Sequence, residues 1–547
     1  MKKYCPSLLV LAALAGCTTE STPGGGATAP DCVVEDAGTG TRYLGITGRA
    51  PQVCAYKGIQ FATAERFASA QLLAPHSGDY PAQKGGIQCL QKPGLDNQNA
   101  QASLPAFGEE QCLYMNIFAP ADAAGRDLPV MVFIHGGAFV LGSGAWDTYD
   151  GSTLAEEGDV IVASINYRLG PLGFWGSHQF GEPEAESGNQ GLTDQIAALR
   201  WVQQYITAFG GDPAQVTIFG ESAGAMSVCT LMATPAAEGL FARAIMQSGS
   251  CAAVSTLDEM AAHAATWATE AGCDSSGPTG MSCLRERDAT QLIGDIHFDA
   301  VADALQPTID GELLTDTPYA VIKERGHNVP LLAGSTANEV QVISVLLAPL
   351  QQLRSMPWST YLGHIDDYYP ADVARIIRRY YGSAQYATPF DAYNDFQTDW
   401  LLTCPTWLAA ELADSLDAPS YHYRFAWKPE GEIGEQIGTH HALELFFVFD
   451  RLDTYALLYE MSDEHAAQQL GQQIRAAWLS FARSGVPVLP DGSDWPVLSA
   501  GGSVVMDRSW SVDADLKRAE CTALAPYLPQ GLHKSSAALM DFWRELE

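Results

Sequence analysis

The strongest pattern in the chain is a set of short apolar runs set between more polar stretches. Residues 128–135 read LPVMVFIH, residues 160–167 VIVASINY and residues 241–247 FARAIMQ. Residues 215–219 (QVTIF) and 329–335 (VPLLAGS) continue the series. Runs of this length, apolar at consecutive rather than alternate positions, predict strands buried on both faces. Between them the period changes. Leu192, Ile196, Leu199, Val202 and Ile206 recur at three and four, which predicts a helix over residues 191–209. Residues 223–232 (AGAMSVCTLM) predict another. Strands alternating with helices indicate an α/β chain whose mostly parallel sheet is covered on both sides. Shorter strands are expected within residues 42–61 and at 113–118. Within residues 340–430, the stretches 355–381 and 393–416 are rich in Tyr, Trp, Leu and Ala at helical spacing, which predicts a mainly helical region over the sheet. Closing helices are expected at 472–483 and 537–546.

The first thirty residues break this pattern. Met1-Lys2-Lys3 is followed by a short apolar run over residues 7–15, too short to span a membrane as a helix, so it has the form of a signal peptide. It ends in Leu14-Ala15-Gly16-Cys17, which resembles the lipobox of bacterial lipoproteins. That resemblance implies cleavage before Cys17 and lipidation of its thiol; the alternative is an ordinary secretory signal that contains a cysteine. Residues 18–30 (TTESTPGGGATAP) form a flexible tether. The expected organisation is therefore signal peptide 1–16, tether 17–30 and a single domain 31–547 with the helical insertion at about 340–430.

The formal net charge of −34 argues against a nucleic-acid partner, which needs a basic surface. It suits an exported protein and disfavours anionic substrates. Of twelve cysteines, ten remain once Cys5 and Cys17 are set aside, an even number that fits an oxidising compartment. No Cys-x-x-Cys or His-Glu-x-x-His is present, so the sequence calls for no metal, and the chemistry below needs no cofactor.

Chemistry enters at Phe219-Gly220-Glu221-Ser222-Ala223-Gly224-Ala225, where Gly-x-Ser-x-Gly joins a predicted strand to a predicted helix. A sharp strand-to-helix turn presenting a serine is a nucleophile elbow, and its glycines make room for the crowded turn. A second element, His135-Gly136-Gly137-Ala138-Phe139, follows a predicted strand. Residues 188–228, GNQGLTDQIAALRWVQQYITAFGGDPAQVTIFGESAGAMSV, closely resemble the signature of the type B carboxylesterases, the group that includes the cholinesterases and some fungal lipases. The likeness extends from about Arg42 through most of the chain and implies an α/β-hydrolase fold.

The resemblance implies roles. Ser222 becomes the nucleophile. Glu339, in Thr336-Ala337-Asn338-Glu339-Val340, falls on the catalytic acid, although Asn338 and Val340 replace the family's usual Asp and Gly. His441 becomes the base, because Gly438 before it and Phe447-Val448-Phe449 after it fix the register of the family pattern G-x-x-H, E-x-x-F-V-F. The adjacent His440 is read as a neighbour. Gly137, Ala138 and Ala223 would offer N–H groups to the oxyanion, with Gly136 shaping the loop. Glu221 either helps hold His441 as imidazolium or is structural. The family pattern also suggests Cys89–Cys112, Cys273–Cys283 and Cys404–Cys521; Cys32 and Cys54 flank a first hairpin they could close, while Cys229 and Cys251 are either paired or free. The activity implied is hydrolysis of a small or lipid-like ester by an enzyme lipid-anchored on the periplasmic or outer face of a bacterial membrane, or secreted if the lipobox is not used. Rival readings are a lipase or polyester hydrolase of the same fold, and a cholinesterase-like binding or adhesion protein lacking catalysis. The last is disfavoured by the presence of Ser222, Glu339 and His441 together.

Overall fold

The computed structural model of the protein describes residues 31–92, 106–181, 187–294, 305–325, 329–347, 354–416 and 418–528. The signal peptide, Cys17, the tether and the helix expected at 537–546 lie outside the described residues.

The apolar runs meet in one eleven-stranded sheet. In chain order its strands are β1 (Ile46–Thr47), β2 (Val53–Gln60), β3 (Tyr114–Pro120), β4 (Leu128–Ile134), β5 (Ile161–Ile165) and β6 (Gly211–Glu221). They continue as β7 (Arg243–Gln247), β8 (Leu331–Thr336), β9 (Ser420–Phe425), β10 (Ser503–Met506) and β11 (Ser511–Val512). Across the sheet the order is β11-β10-β9-β8-β7-β6-β4-β5-β3-β2-β1. Pairing is parallel from β10 to β5 and antiparallel beyond, at both margins.

The central strands show why their apolar runs are unbroken. Along β4, Val130, Val132 and Ile134 enter one core cluster, while Met131 and Phe133 enter the other. Helices α1 (Gln190–Tyr205) and α2 (Ala223–Ala233) contribute Leu192, Leu199, Val228 and Leu231 to the first cluster. Helix α3 (Glu464–Ser484) contributes Leu470, Ile474, Trp478 and Phe481 to the second. With apolar side chains covered on both faces, alternation disappears from the sequence. Helix α3 starts eight residues earlier than its apolar spacing suggests, because Asp463 caps it by accepting the N–H of Ala466 at 3.0 Å.

The helical region needs a correction. Helices Trp358–Tyr368, Ala371–Tyr380, Pro389–Thr398 and Cys404–Asp414 occupy most of it, with a π-turn at Asp399–Thr403. It does not run to 430, because Ser420–Phe425 is β9, inside the parallel sheet. The sequence SYHYRF looks polar, but His422 and Arg424 each find a tertiary partner. His422 Nδ1 lies 3.0 Å from Ser503 Oγ, and Arg424 Nη2 donates to Ala337 O at 3.0 Å.

Ten cysteines form five disulfides: Cys32–Cys54, Cys89–Cys112, Cys229–Cys251, Cys273–Cys283 and Cys404–Cys521. The open question of Cys229 and Cys251 thus closes as a bond between α2 and the loop after β7. Five disulfides are consistent with an oxidising compartment and with export. Among the described residues no helix is long and apolar enough to cross a membrane.

Candidate active site

The site forms where β6, β8 and β9 end. Open parallel sheets place their clefts at such carboxyl ends. Ser222 joins β6 to α2 at φ 57° and ψ −125°, a conformation costly for a residue with a side chain. Close approach maintains it. A Cβ on Gly220 would stand 2.5 Å from the carbonyl carbon of Gly224, and one on Gly224 would stand 2.0 Å from Ile134 O. The Ser222 N–H donates to Gln247 O at 2.9 Å, tying the turn to β7. Ser222 is partly buried, and its Oγ has no protein hydrogen-bond partner among the described residues.

Gly136, Gly137 and Ala138 follow β4 and lie against the elbow. A Cβ on Gly136 would meet Glu221 O at 2.7 Å and Ser222 Cβ at 2.9 Å. Gly137 and Ala138 have φ of 113° and 52°. Among the described residues, the N–H groups of Gly137, Ala138 and Ala223 donate to no protein acceptor. They therefore remain available to a ligand oxygen, and Ala223 adds the positive end of α2. The loop is shaped by His135, whose Nδ1 lies 2.8 Å from Gly136 O and whose carbonyl accepts the Tyr167 hydroxyl at 2.8 Å.

Glu339 and His441 come from loops about a hundred residues apart and meet at 2.6 Å between Oε2 and Nδ1. The other oxygen of Glu339 accepts Ser248 Oγ and the Thr336 N–H, both at 2.6 Å. The substitutions at 338 and 340 leave Glu339 in this place. The Asn338 N–H donates to Thr439 O at 2.9 Å, and Asn338 Oδ1 accepts the Thr439 N–H at 3.1 Å. Val340 is buried in the core. The Glu339 loop is thereby zipped to the His441 loop.

Glu221 Oε1 stands 3.1 Å from His441 Nε2, a charge contact without hydrogen-bond alignment. The imidazole therefore sits between two carboxylates. Burial works to lower its pKa, but Glu221 first and Glu339 next reverse this and raise it above the ordinary histidine value. Burial also raises the Glu221 carboxyl, an effect that the His441 charge opposes. The two groups titrate as a pair.

Sequence reasoning passed over Ser248 and Glu444. Ser248 follows β7 directly, at the level of the elbow, and that position was the available signal. Glu444 lies three residues after His441 and opens the E-x-x-F-V-F motif. Its Oε1 accepts Gln247 Nε2 at 3.1 Å, and burial, followed by the Glu339 charge, pushes its carboxyl up to about 7.

A sequence profile of the Carboxylesterase family matches residues 40–522. The chain belongs to the carboxylesterase family. It is a carboxylic ester hydrolase of the serine-esterase type. Among the relatives of this family member, the para-nitrobenzyl esterase of Bacillus subtilis (strain 168) is 36% identical over 423 residues, 74% of this chain and 81% of that protein. The liver carboxylesterase of Sus scrofa is 32% identical, covering 83% of this chain and 85% of its own. A solved para-nitrobenzyl esterase superposes with a TM-score of 0.74 at 32% identity, over 90% of this chain and 99% of that one. A Geobacillus stearothermophilus carboxylesterase gives 0.77 at 30%, with the same coverage. The architecture of this carboxylesterase is the α/β-hydrolase fold.

Proposed function

We propose that Ser222, His441 and Glu339 carry out the ester hydrolysis. One arrangement carries the reading: an imidazole bonded at 2.6 Å to a buried carboxylate, at the end of the sheet where a strained serine turn faces three N–H groups without protein acceptors. A serine hydroxyl needs a base to attack, and the base needs an acceptor at Nδ1 to hold its tautomer. His441 Nε2, which faces Glu221 at rest, turns to take the Ser222 proton as Oγ bonds to the ester carbonyl carbon. The carbonyl oxygen becomes an oxyanion held by the N–H groups of Gly137, Ala138 and Ala223, with Gly136 keeping the loop close. His441 then gives the proton to the leaving alcohol. It next takes one from water, whose oxygen attacks the acyl carbon; the acyl–Oγ bond then breaks, the acid leaves, and His441 returns its proton to Ser222 Oγ.

The substrate is a neutral carboxylic ester. An active-site floor holding Glu221, Glu339 and Glu444 repels a substrate carboxylate. The finer organisation follows the sequence: a signal peptide at 1–16, lipidation at Cys17, a tether to residue 30 and one domain from residue 31, with helices over the site from about 340 to Asp414. Hydrolysis of p-nitrophenyl esters from acetate to palmitate, with a p-nitrobenzyl ester beside them and Ser222→Ala in parallel, tests the reading. Turnover in the wild type with a loss of at least about 10⁴-fold in the variant is expected. Equal turnover by the variant refutes the nucleophile assignment. A profile peaking at short acyl chains gives an esterase, and one peaking at long chains a lipase.

A further inference from the structure

His440 precedes the proposed base at a position the family pattern leaves open, and it is bonded at both ring nitrogens. Its Nδ1 lies 2.7 Å from His441 O, and its Nε2 lies 2.7 Å from the Tyr459 hydroxyl. Both residues are buried, at 2% and 5% exposure. A carbonyl oxygen only accepts, so Nδ1 must carry the proton. In a neutral ring Nε2 then offers a lone pair, which the Tyr459 O–H fills. Burial supports the neutral form by pushing the imidazole down to about 4, against the opposing effect of the bond to His441 O.

The backbone shows what this arrangement holds. The Nδ1–H···O bond closes a small ring from the His440 side chain to the carbonyl of the next residue, so the peptide after His441 cannot rotate freely. The next residue, Ala442, has φ 65°, a left-handed conformation that a non-glycine residue adopts only when held there. On the other side, the Leu443 N–H donates to His440 O at 3.2 Å. His441 extends from this turn toward Glu339. We propose that His440 is a positioning residue that locks the His441 turn, and that Tyr459 fixes the tautomer that lets it do so. This rests on His441 being the general base, as proposed above.

The physical consequence is specific. Without the Tyr459 O–H, the Nε2 lone pair is buried without a donor and the ring can move its proton to Nε2. Nδ1 then presents a lone pair to the His441 carbonyl, and the closing bond becomes a repulsion. Two remote atoms thereby control the placement of Nε2, where a shift of about 1 Å costs on the order of 100-fold in rate. Asparagine separates the parts of the device. Its side-chain amide donates from near the Nδ1 position but has no tautomer, so it needs no help from Tyr459.

The experiment uses the full-length enzyme and p-nitrophenyl butyrate, with His440→Leu, His440→Asn, Tyr459→Phe and the double variant His440→Asn/Tyr459→Phe. His440→Leu is expected to lower kcat about 10–100-fold with KM within about 2-fold. Tyr459→Phe is expected to lower kcat about 3–10-fold, and His440→Asn to remain within about 3-fold of wild type. In the Asn background Tyr459→Phe should add nothing to the loss in kcat. The acid limb of kcat/KM should move to lower pH in His440→Leu, because a displaced His441 loses part of the Glu339 contact that holds its proton. Equal losses in the Leu and Asn variants, or an additive Tyr459→Phe effect, overturn the proposal in favour of simple space filling. A direct readout needs no turnover. In protein with 15N-labelled histidine, the resonance missing from His440→Asn should be a neutral ring protonated at Nδ1, and should change in Tyr459→Phe. An Nε2-protonated ring in the wild type overturns the proposal. A wild type inactive on every ester, with the expected 15N signature, refutes the catalytic reading while leaving the tautomer lock standing.

Discussion

Replacing Glu221 by Gln should move the acid limb of kcat/KM to lower pH. Glutamine keeps the shape of this buried side chain and removes one of the two charges on His441. At the 3.1 Å separation between Oε1 and Nε2, a unit-charge interaction is about 5 kcal/mol at an effective dielectric of 20. Two features reduce it. His441 is 25% exposed and so is partly screened by water, and burial raises Glu221 itself, so that the pair shares protons instead of staying fully ionised near neutrality. A residual of about 1.4–2.7 kcal/mol corresponds to a shift of about one to two pH units. The sign follows from the charge. An adjacent carboxylate favours imidazolium, so its loss lowers the pH at which the base becomes free, and activity persists further into acid. The assay is initial-rate hydrolysis of a p-nitrophenyl ester between pH 5 and 9, at substrate well below KM. An unchanged limb, or one displaced upward, would falsify the account of Glu221 as the charge that holds the His441 proton.

Two further predictions concern the scaffold. Arg168 and Asp194 form a buried ion pair with a shortest contact of 2.7 Å, and Asp194 also accepts the Arg168 N–H at 2.8 Å. Asp194→Ala strands a buried guanidinium and should cost about 3–5 kcal/mol in urea unfolding; a loss below about 1 kcal/mol refutes this. Cys404–Cys521 joins helix Cys404–Asp414 to helix Arg518–Leu524 across a separation of 117 residues. The Cys404→Ser/Cys521→Ser variant should lose about 4–5 kcal/mol by chain entropy, and an unchanged urea midpoint would contradict that estimate.

What the sequence made legible was what local physics dictates. Strand β4 was visible because both its faces are covered, so its run has no polar gaps. The elbow was visible because only glycine fits at 220 and 224. His441 was distinguished from His440 by register against Phe447 and Phe449, since periodicity says nothing about either ring. The misses are residues whose roles depend on partners distant in the chain. Strand β9 looked unlike a strand because it carries His422 and Arg424, whose partners Ser503, Ala337 and Asp395 lie far off in the chain. Ser248 and Tyr459 look like ordinary positions until folding places one against Glu339 and the other against His440.

That dependence on distant partners explains the architecture of the Glu339–His441 pair. Glu339 and His441 both stand on loops, where side chains usually wander, yet the bond between them must hold to a fraction of an ångström. The structure removes the slack from the two loops together. Asn338 and Thr439 exchange a pair of hydrogen bonds, and Gln341 Nε2 donates to Gln436 O at 2.7 Å one turn further on. On the sheet side Arg424 of β9 holds Ala337 O, two residues before Glu339. Asn338 therefore does more than tolerate the place of an aspartate. Its side chain uses its oxygen as the acceptor for the Thr439 N–H while adding no fourth carboxylate to a site that already holds Glu221, Glu339 and Glu444. An aspartate there could accept the same N–H but would bring another negative charge beside Glu339. Replacing the usual Asp by Asn thus preserves the clamp between the loops and spares His441 a further pull on its proton.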